Sequence, residues 1–116
     1  MNLEDAIEVH AEWKLRFQSV MSKKGSFNVE TVSKDNLCML GNWLYSEEKK
    51  LRKYLSYKPL LESHKKFHIE AGKVASMVNS GNYAEAENEL LENSSYSKAS
   101  AAVCIEIMNL KNEAGM

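Results

Sequence analysis

The sequence predicts an all-α protein, an antiparallel four-helix bundle with one additional short helix. Three observations carry that expectation. The 116 residues include one proline and five glycines, where a sheet protein of this length needs many turn-formers. Apolar residues recur at intervals of three and four along most of the chain. The proportions, 44% apolar and 27% charged, are those of a globular domain able to bury a modest core.

The length allows one domain, taken as residues 1–116. Fifteen basic and sixteen acidic side chains leave a net charge of −1 with no block of five like charges, which argues against a nucleic-acid or membrane-surface partner. No run approaches the roughly 18 apolar residues of a membrane span. Glu4, Asp5, Glu8 and Glu12 stand where a secretion signal needs an apolar stretch, so a cytoplasmic location is expected. Two cysteines, Cys38 and Cys104, are too few for a disulfide framework and suit reduced thiols.

The first helix is expected over residues 3–22. Asn2 is its N-cap, Glu4 and Asp5 sit at the positive end of its dipole, and Leu3, Ile7, His10, Trp13, Phe17 and Met21 follow at helical spacing. Residues 22–31 read as a loop, with Phe27 or Val29 tucked onto the bundle. A second helix starting near Ser33 or Asp35 and ending by Tyr45 carries Leu37, Leu40 and Leu44 on one stripe, with Cys38 and Gly41 on a neighbouring face. Within residues 47–57, Leu51, Tyr54 and Leu55 suffice for a short, charged helix capped by Ser46. Pro59 suits the first position of the next helix, whose apolar stripe from Leu60 to Val78 holds His64 and His68 and stops at Gly81. Asn82 and Glu85 form a capping-box-like pair for the last segment, with a core face of Ala86, Leu90, Ala101, Cys104, Ile105 and Met108. A polar stretch over 92–97 predicts a break near Asn93, and residues 112–116 should fray.

The chemistry concentrates in the histidines. A lone histidine on an apolar face is more often a core residue with one satisfied hydrogen bond than a ligand. Here all three histidines and Cys38 fall on packing faces. His64 and His68 stand four apart on one helix face, and His10 and Cys38 are placed to face them from neighbouring helices. Three imidazoles and a thiolate suit zinc, and four protein ligands close the site, which favours structure or sensing over hydrolysis. The run His64-Lys65-Lys66-Phe67-His68 puts Lys where a metalloprotease helix needs Glu, and no ExxH pair of a di-iron bundle occurs. The reading is therefore non-catalytic. Cys104 is expected as a small core residue, and the six methionines as core fillers and helix ends.

Three motifs in order carry a family resemblance. His10, Trp13 and Lys14 give HxxWK; Cys38, Leu40, Gly41 and Trp43 give CxLGxW; His64, Phe67 and His68 give HxxFH. Together, with gaps of 27 and 25 residues between the ligand positions, they resemble the chemoreceptor zinc-binding (CZB) domain of bacteria over about Leu3 to Lys111. The resemblance implies one Zn2+ held by His10, Cys38, His64 and His68. It also implies a cytoplasmic sensor of zinc or oxidants, attached to chemoreceptor signalling coils or diguanylate cyclases, with a homodimer plausible. These 116 residues carry no such output segment, which fits a free-standing member or part of a longer protein.

Gly41, one turn from Cys38, suggests close approach by another helix or a ligand ring, since glycine costs about 1 kcal/mol relative to alanine inside a helix. Trp13, Trp43 and Phe67 are expected as aromatic walls around the metal as well as core residues. Cys38 is the redox-sensitive ligand, because a sulfenic acid is a much poorer zinc donor than a thiolate. Two responses are open, to zinc availability and to oxidation of Cys38, each read by a signalling partner or a second copy. The alternatives are a zinc-stapled adaptor or dimerisation module without sensing, an enzyme with an open metal site, and a metal-free bundle.

Overall fold

Asn2 opens the fold as the sequence requires. In the computed structural model, which describes residues 1–116, its side chain accepts the N–H of Asp5 and starts α1 (Leu3–Ala11). The expected single helix over 3–22 is interrupted once, at Glu12, before α2 (Trp13–Ser22). The Glu12 backbone stays in the right-handed helical region, and its N–H still reaches the Glu8 carbonyl. The buried stripe therefore runs through the break as Leu3, Ala6, His10, Trp13, Phe17 and Met21.

The next stretch departs further from expectation. Residues 29–33, expected to fall mostly in the loop ahead of the second helix, form α3 (Val29–Ser33), capped by Asn28, which accepts the Thr31 N–H. Lys34 is extended, so the second helix starts only at Met39, giving α4 (Met39–Ser46) with Cys38 as its N-cap. Cys38 is thus at a helix entrance rather than a turn inside it. Leu37, outside the helix, is exposed and does not share the buried stripe of Leu40 and Leu44. The charged helix shrinks to one turn, α5 (Glu48–Leu51), preceded by Glu47 rather than Ser46 and without a side-chain capping bond, and Leu55 points to solvent.

The long α6 (Tyr57–Asn79) begins two residues before Pro59, which occupies the third helical position, still within the turn whose N–H groups have no intrahelical partner. The N–H groups of Leu55 and Ser56, just before it, donate to the Glu113 carboxylate. At its far end Gly81 adopts φ +78°, its N–H bonds Val78 and the Asn82 N–H bonds Met77, a Schellman closure. Asn82 precedes α7 (Tyr83–Glu89) without a side-chain capping bond, so the pair with Glu85 does not form a box. The break near Asn93 is present, with φ +69°, and Ser94 caps α8 (Ser95–Ala114) through the Ser97 N–H.

The protein is all-helical, with eight segments in place of four long helices and one short one. Packing against α2, α3, α7 and α8 makes α6 the central element, while α1 lies along α8. The face of α8 differs from the expected one. Ala86 and Leu90 are buried before it, but α8 buries Tyr96, Ala99, Val103, Ile107 and Leu110. Ala101, Ile105 and Met108 are exposed and Cys104 is half-buried. The helix carries two apolar series, and Tyr96 favours the observed one by stacking against both Phe17 and Phe67. No helix is long and apolar enough to cross a membrane.

Candidate metal centre

The four residues singled out by type and spacing meet at one point. His64 and His68 stand one turn apart on α6 with ring centroids 4.6 Å apart, and His10 from α1 packs edge-on against both, at 5.0 and 5.7 Å. Cys38 approaches from the start of α4, its Sγ 3.2 Å from His64 Nε2, which lies 3.1 Å from His68 Nε2. One ligand atom from each of the four residues lies within 4.8 Å of every other. Tetrahedral zinc with bonds of about 2.0 to 2.3 Å needs donors about 3.3 to 3.8 Å apart, a spacing that small side-chain adjustments reach from here.

Backbone carbonyls aim the rings. His10 Nδ1 lies 2.7 Å from the Ala6 carbonyl and His68 Nδ1 lies 2.9 Å from that of Val32. Each Nδ1–H donates outward, which leaves each Nε2 lone pair facing the cluster. His10 Nε2 and His64 Nδ1 are buried with no hydrogen-bond partner. Apart from the Cys38 thiol, only His64 can place a proton among these groups, and His10 Nε2 has a partner in neither. A divalent cation among them satisfies the set at once, so the donor chemistry fits zinc.

Burial sets the protonation. It lowers the pKa of all three histidines, and for His64, with His68 and His10 beside it, to about 2. For His10 the burial effect is opposed by the bond to Ala6, and for His68 by the bond to Val32. The rings are therefore neutral at pH 7, the form that binds a metal. Burial raises the Cys38 thiol, opposed by the backbone N–H groups of Gly41 and Leu40 at the entrance of α4. With neutral imidazoles around it, the thiolate needs the metal's charge to form.

The supporting residues divide. Phe67 is fully buried, 5.1 Å from the His10 ring and 5.3 Å from that of His68. Trp13 is buried and shares a cleft with Cys38 and His68. Trp43 is half-buried against the core and lines a groove with Leu51 and Tyr54 in which none of the four residues takes part. Gly41 is needed for a reason other than the expected one. A Cβ there would lie 1.7 Å from the Asp35 carbonyl oxygen, so the close neighbour is the backbone leading into α4, neither another helix nor a ring. That contact holds the Gly41 N–H 3.4 Å from Cys38 Sγ.

Sequence reasoning missed Ala6 and Val32, which contribute only carbonyls, and Gly72. A Cβ on Gly72 would meet Ser33 Cβ at 2.6 Å, so the glycine lets α3 close on α6 and bring Val32 to His68. A glycine inside a long helix, four residues after His68, was the available signal. Cys104 lies outside the cluster, its thiol against the Ile7 carbonyl.

The family model described as the chemoreceptor zinc-binding domain (CZB) matches residues 10–75, a span that includes His10, Cys38, His64 and His68. No curated protein and no solved structure matches the chain. The match covers more than half of the sequence and ends beyond the last histidine, and the donor set beneath it suits one zinc ion: the chain belongs to the chemoreceptor zinc-binding domain family.

Proposed function

We propose that His10, Cys38, His64 and His68 are the four ligands of a single closed zinc site, and that the domain is a non-catalytic sensory module reporting through a signalling partner. The observation that carries the ligand assignment is the convergence of their donor atoms to within 4.8 Å around unpaired buried nitrogens. Four protein donors leave no position for an activated water, which favours binding over catalysis.

Sensing is supported by the unequal protection of the ligands. The three histidines are buried, whereas Cys38 is half-buried and borders two openings. A bound zinc would tie α1, the entrance of α4 and α6 together. In small domains such a tie is worth on the order of 10 kcal/mol, so losing one corner to sulfur oxidation shifts the packing of whole elements. Zinc depletion acts on the same tie. In this reading α1 with α2, α4, α6 and α8 are the four arms of an antiparallel bundle. The 116 residues form one cytoplasmic domain, and the partner is a chemoreceptor, a diguanylate cyclase or a second copy.

The test is native mass spectrometry of the untagged protein and of Cys38→Ala, followed by titration with peroxide. One zinc per chain, lost or weakened by the substitution and released on oxidation, is the expected result. Zinc that survives oxidation identifies a structural staple, and no zinc under metal-replete, reducing conditions contradicts the assignment.

A further inference from the structure

Cys38 has no thiol partner within the cluster. Cys104, the second cysteine, turns its sulfur to the Ile7 carbonyl beside α8. An oxidised Cys38 therefore needs a thiol from outside to return to the ligand form. Two openings reach it. One is a pocket of about 130 Å3 lined mainly by apolar side chains, with Asp5 as its charged residue. The other is a cleft of about 390 Å3 between α2 and the segment leading into α4, where Trp13 and Phe27 form walls, Arg16 and Lys34 supply positive charge, and Cys38 and His68 are part of the lining.

The two cations differ in availability. Lys34 is paired with Glu30 at 3.2 Å. Arg16 makes no salt bridge, and its guanidinium lies 4.0 Å over the Trp13 ring, which holds the charge at the cleft while leaving its N–H donors free. The nearest acid on the chain leading to Cys38, Asp35, accepts the Tyr45 hydroxyl and lines a different depression.

We infer that this cleft binds a small anionic thiol of the glutathione class and presents it to oxidised Cys38. The inference rests on the redox reading of Cys38. Peroxide converts the Cys38 thiolate to the sulfenic acid, and the peroxide O–O bond breaks as the new S–O bond forms. The thiol sulfur then attacks the Cys38 sulfur: an S–S bond forms, the S–O bond breaks, and the hydroxide leaves with the thiol's proton as water. A second thiol attacks the mixed disulfide, regenerating the Cys38 thiol and releasing the external disulfide. Arg16 binds the carboxylate of the incoming thiol, and the size of the cleft admits a tripeptide where the apolar pocket does not.

The experiment oxidises the zinc-loaded full chain, with Cys104 replaced by Ser, using hydrogen peroxide. It then follows mixed-disulfide formation at Cys38 by intact mass with glutathione, neutral 2-mercaptoethanol and cationic cysteamine. Arg16→Gln should slow glutathione about fivefold, leave 2-mercaptoethanol within about twofold and speed cysteamine, with Arg16→Lys restoring most of the wild-type order. Equal effects on all three thiols, or none, overturn the inference. Should peroxide give no dimedone-reactive sulfenic acid, the redox reading fails by itself. The charge preference of the cleft is then read by thiol–disulfide exchange with oxidised glutathione against cystamine. Arg16-dependent preference for the anionic disulfide there upholds the binding site, and its absence, or an inert Cys38, overturns it.

Discussion

His64 is the most constrained side chain of the centre, fully buried with one ring nitrogen facing Cys38 and His68 and the other without a partner. Its lowered pKa gives a pH dependence of definite sign. In the unfolded chain the imidazole takes up a proton below about 6.5, whereas in the folded protein it stays neutral down to about 2. The unfolded state therefore binds more protons across that window, and stability falls as the pH drops below 6.5. His64 alone sets a slope of about 1.4 kcal/mol per pH unit, and the zinc-bound form keeps the same sign because a coordinated ring carries no extra proton. Urea unfolding at pH 7.5 and 5.5 should show the loss; equal midpoints contradict it. Gly41→Ala is expected to lower stability by about 2 to 3 kcal/mol and to weaken zinc binding, since the added Cβ meets backbone at 1.7 Å with no flexible side chain to yield. Thermal melting with and without zinc checks this. That these four side chains cluster was legible because they are rare types at telling intervals. The carbonyls of Ala6 and Val32 were not, because every residue has one and only the fold decides which faces a ring.

At the scale of elements, legibility followed the strength of local signals. Asn2, Gly81 and the break at Asn93 were read correctly from caps and polar composition. The segment 29–38 was misread because α3 has only five residues and Lys34 turns extended, so periodicity never accumulates. The face of α8 was misread because two apolar series compete and the aromatic contacts of Tyr96 decide between them. The approach of α3 to α6 gives the prediction at this scale. Gly72→Ala forces Ser33 away from a 2.6 Å contact and draws the Val32 carbonyl off His68. Zinc affinity should fall about tenfold, within the range seen when a ligand's supporting hydrogen bond is lost, although no ligand is altered. Competition with a chromophoric zinc chelator reads it, and unchanged affinity would show that α3 does not orient the ring.

Across the whole molecule, the centre lies where α1, the entrance of α4 and α6 meet. The fold extends 44 × 25 × 19 Å, with α6 packed against much of the rest and α1 lying along α8. A metal held by the proposed ligands would tie α1 and the entrance of α4 to the central helix. The coordination shell itself decides between a closed and an open site, and X-ray absorption at the zinc edge of the purified protein examines that shell directly. The prediction is four-coordinate zinc with one sulfur at about 2.3 Å and three imidazole nitrogens at about 2.0 to 2.1 Å. A shell without sulfur, or with a bound water in place of an imidazole, would contradict the closed site.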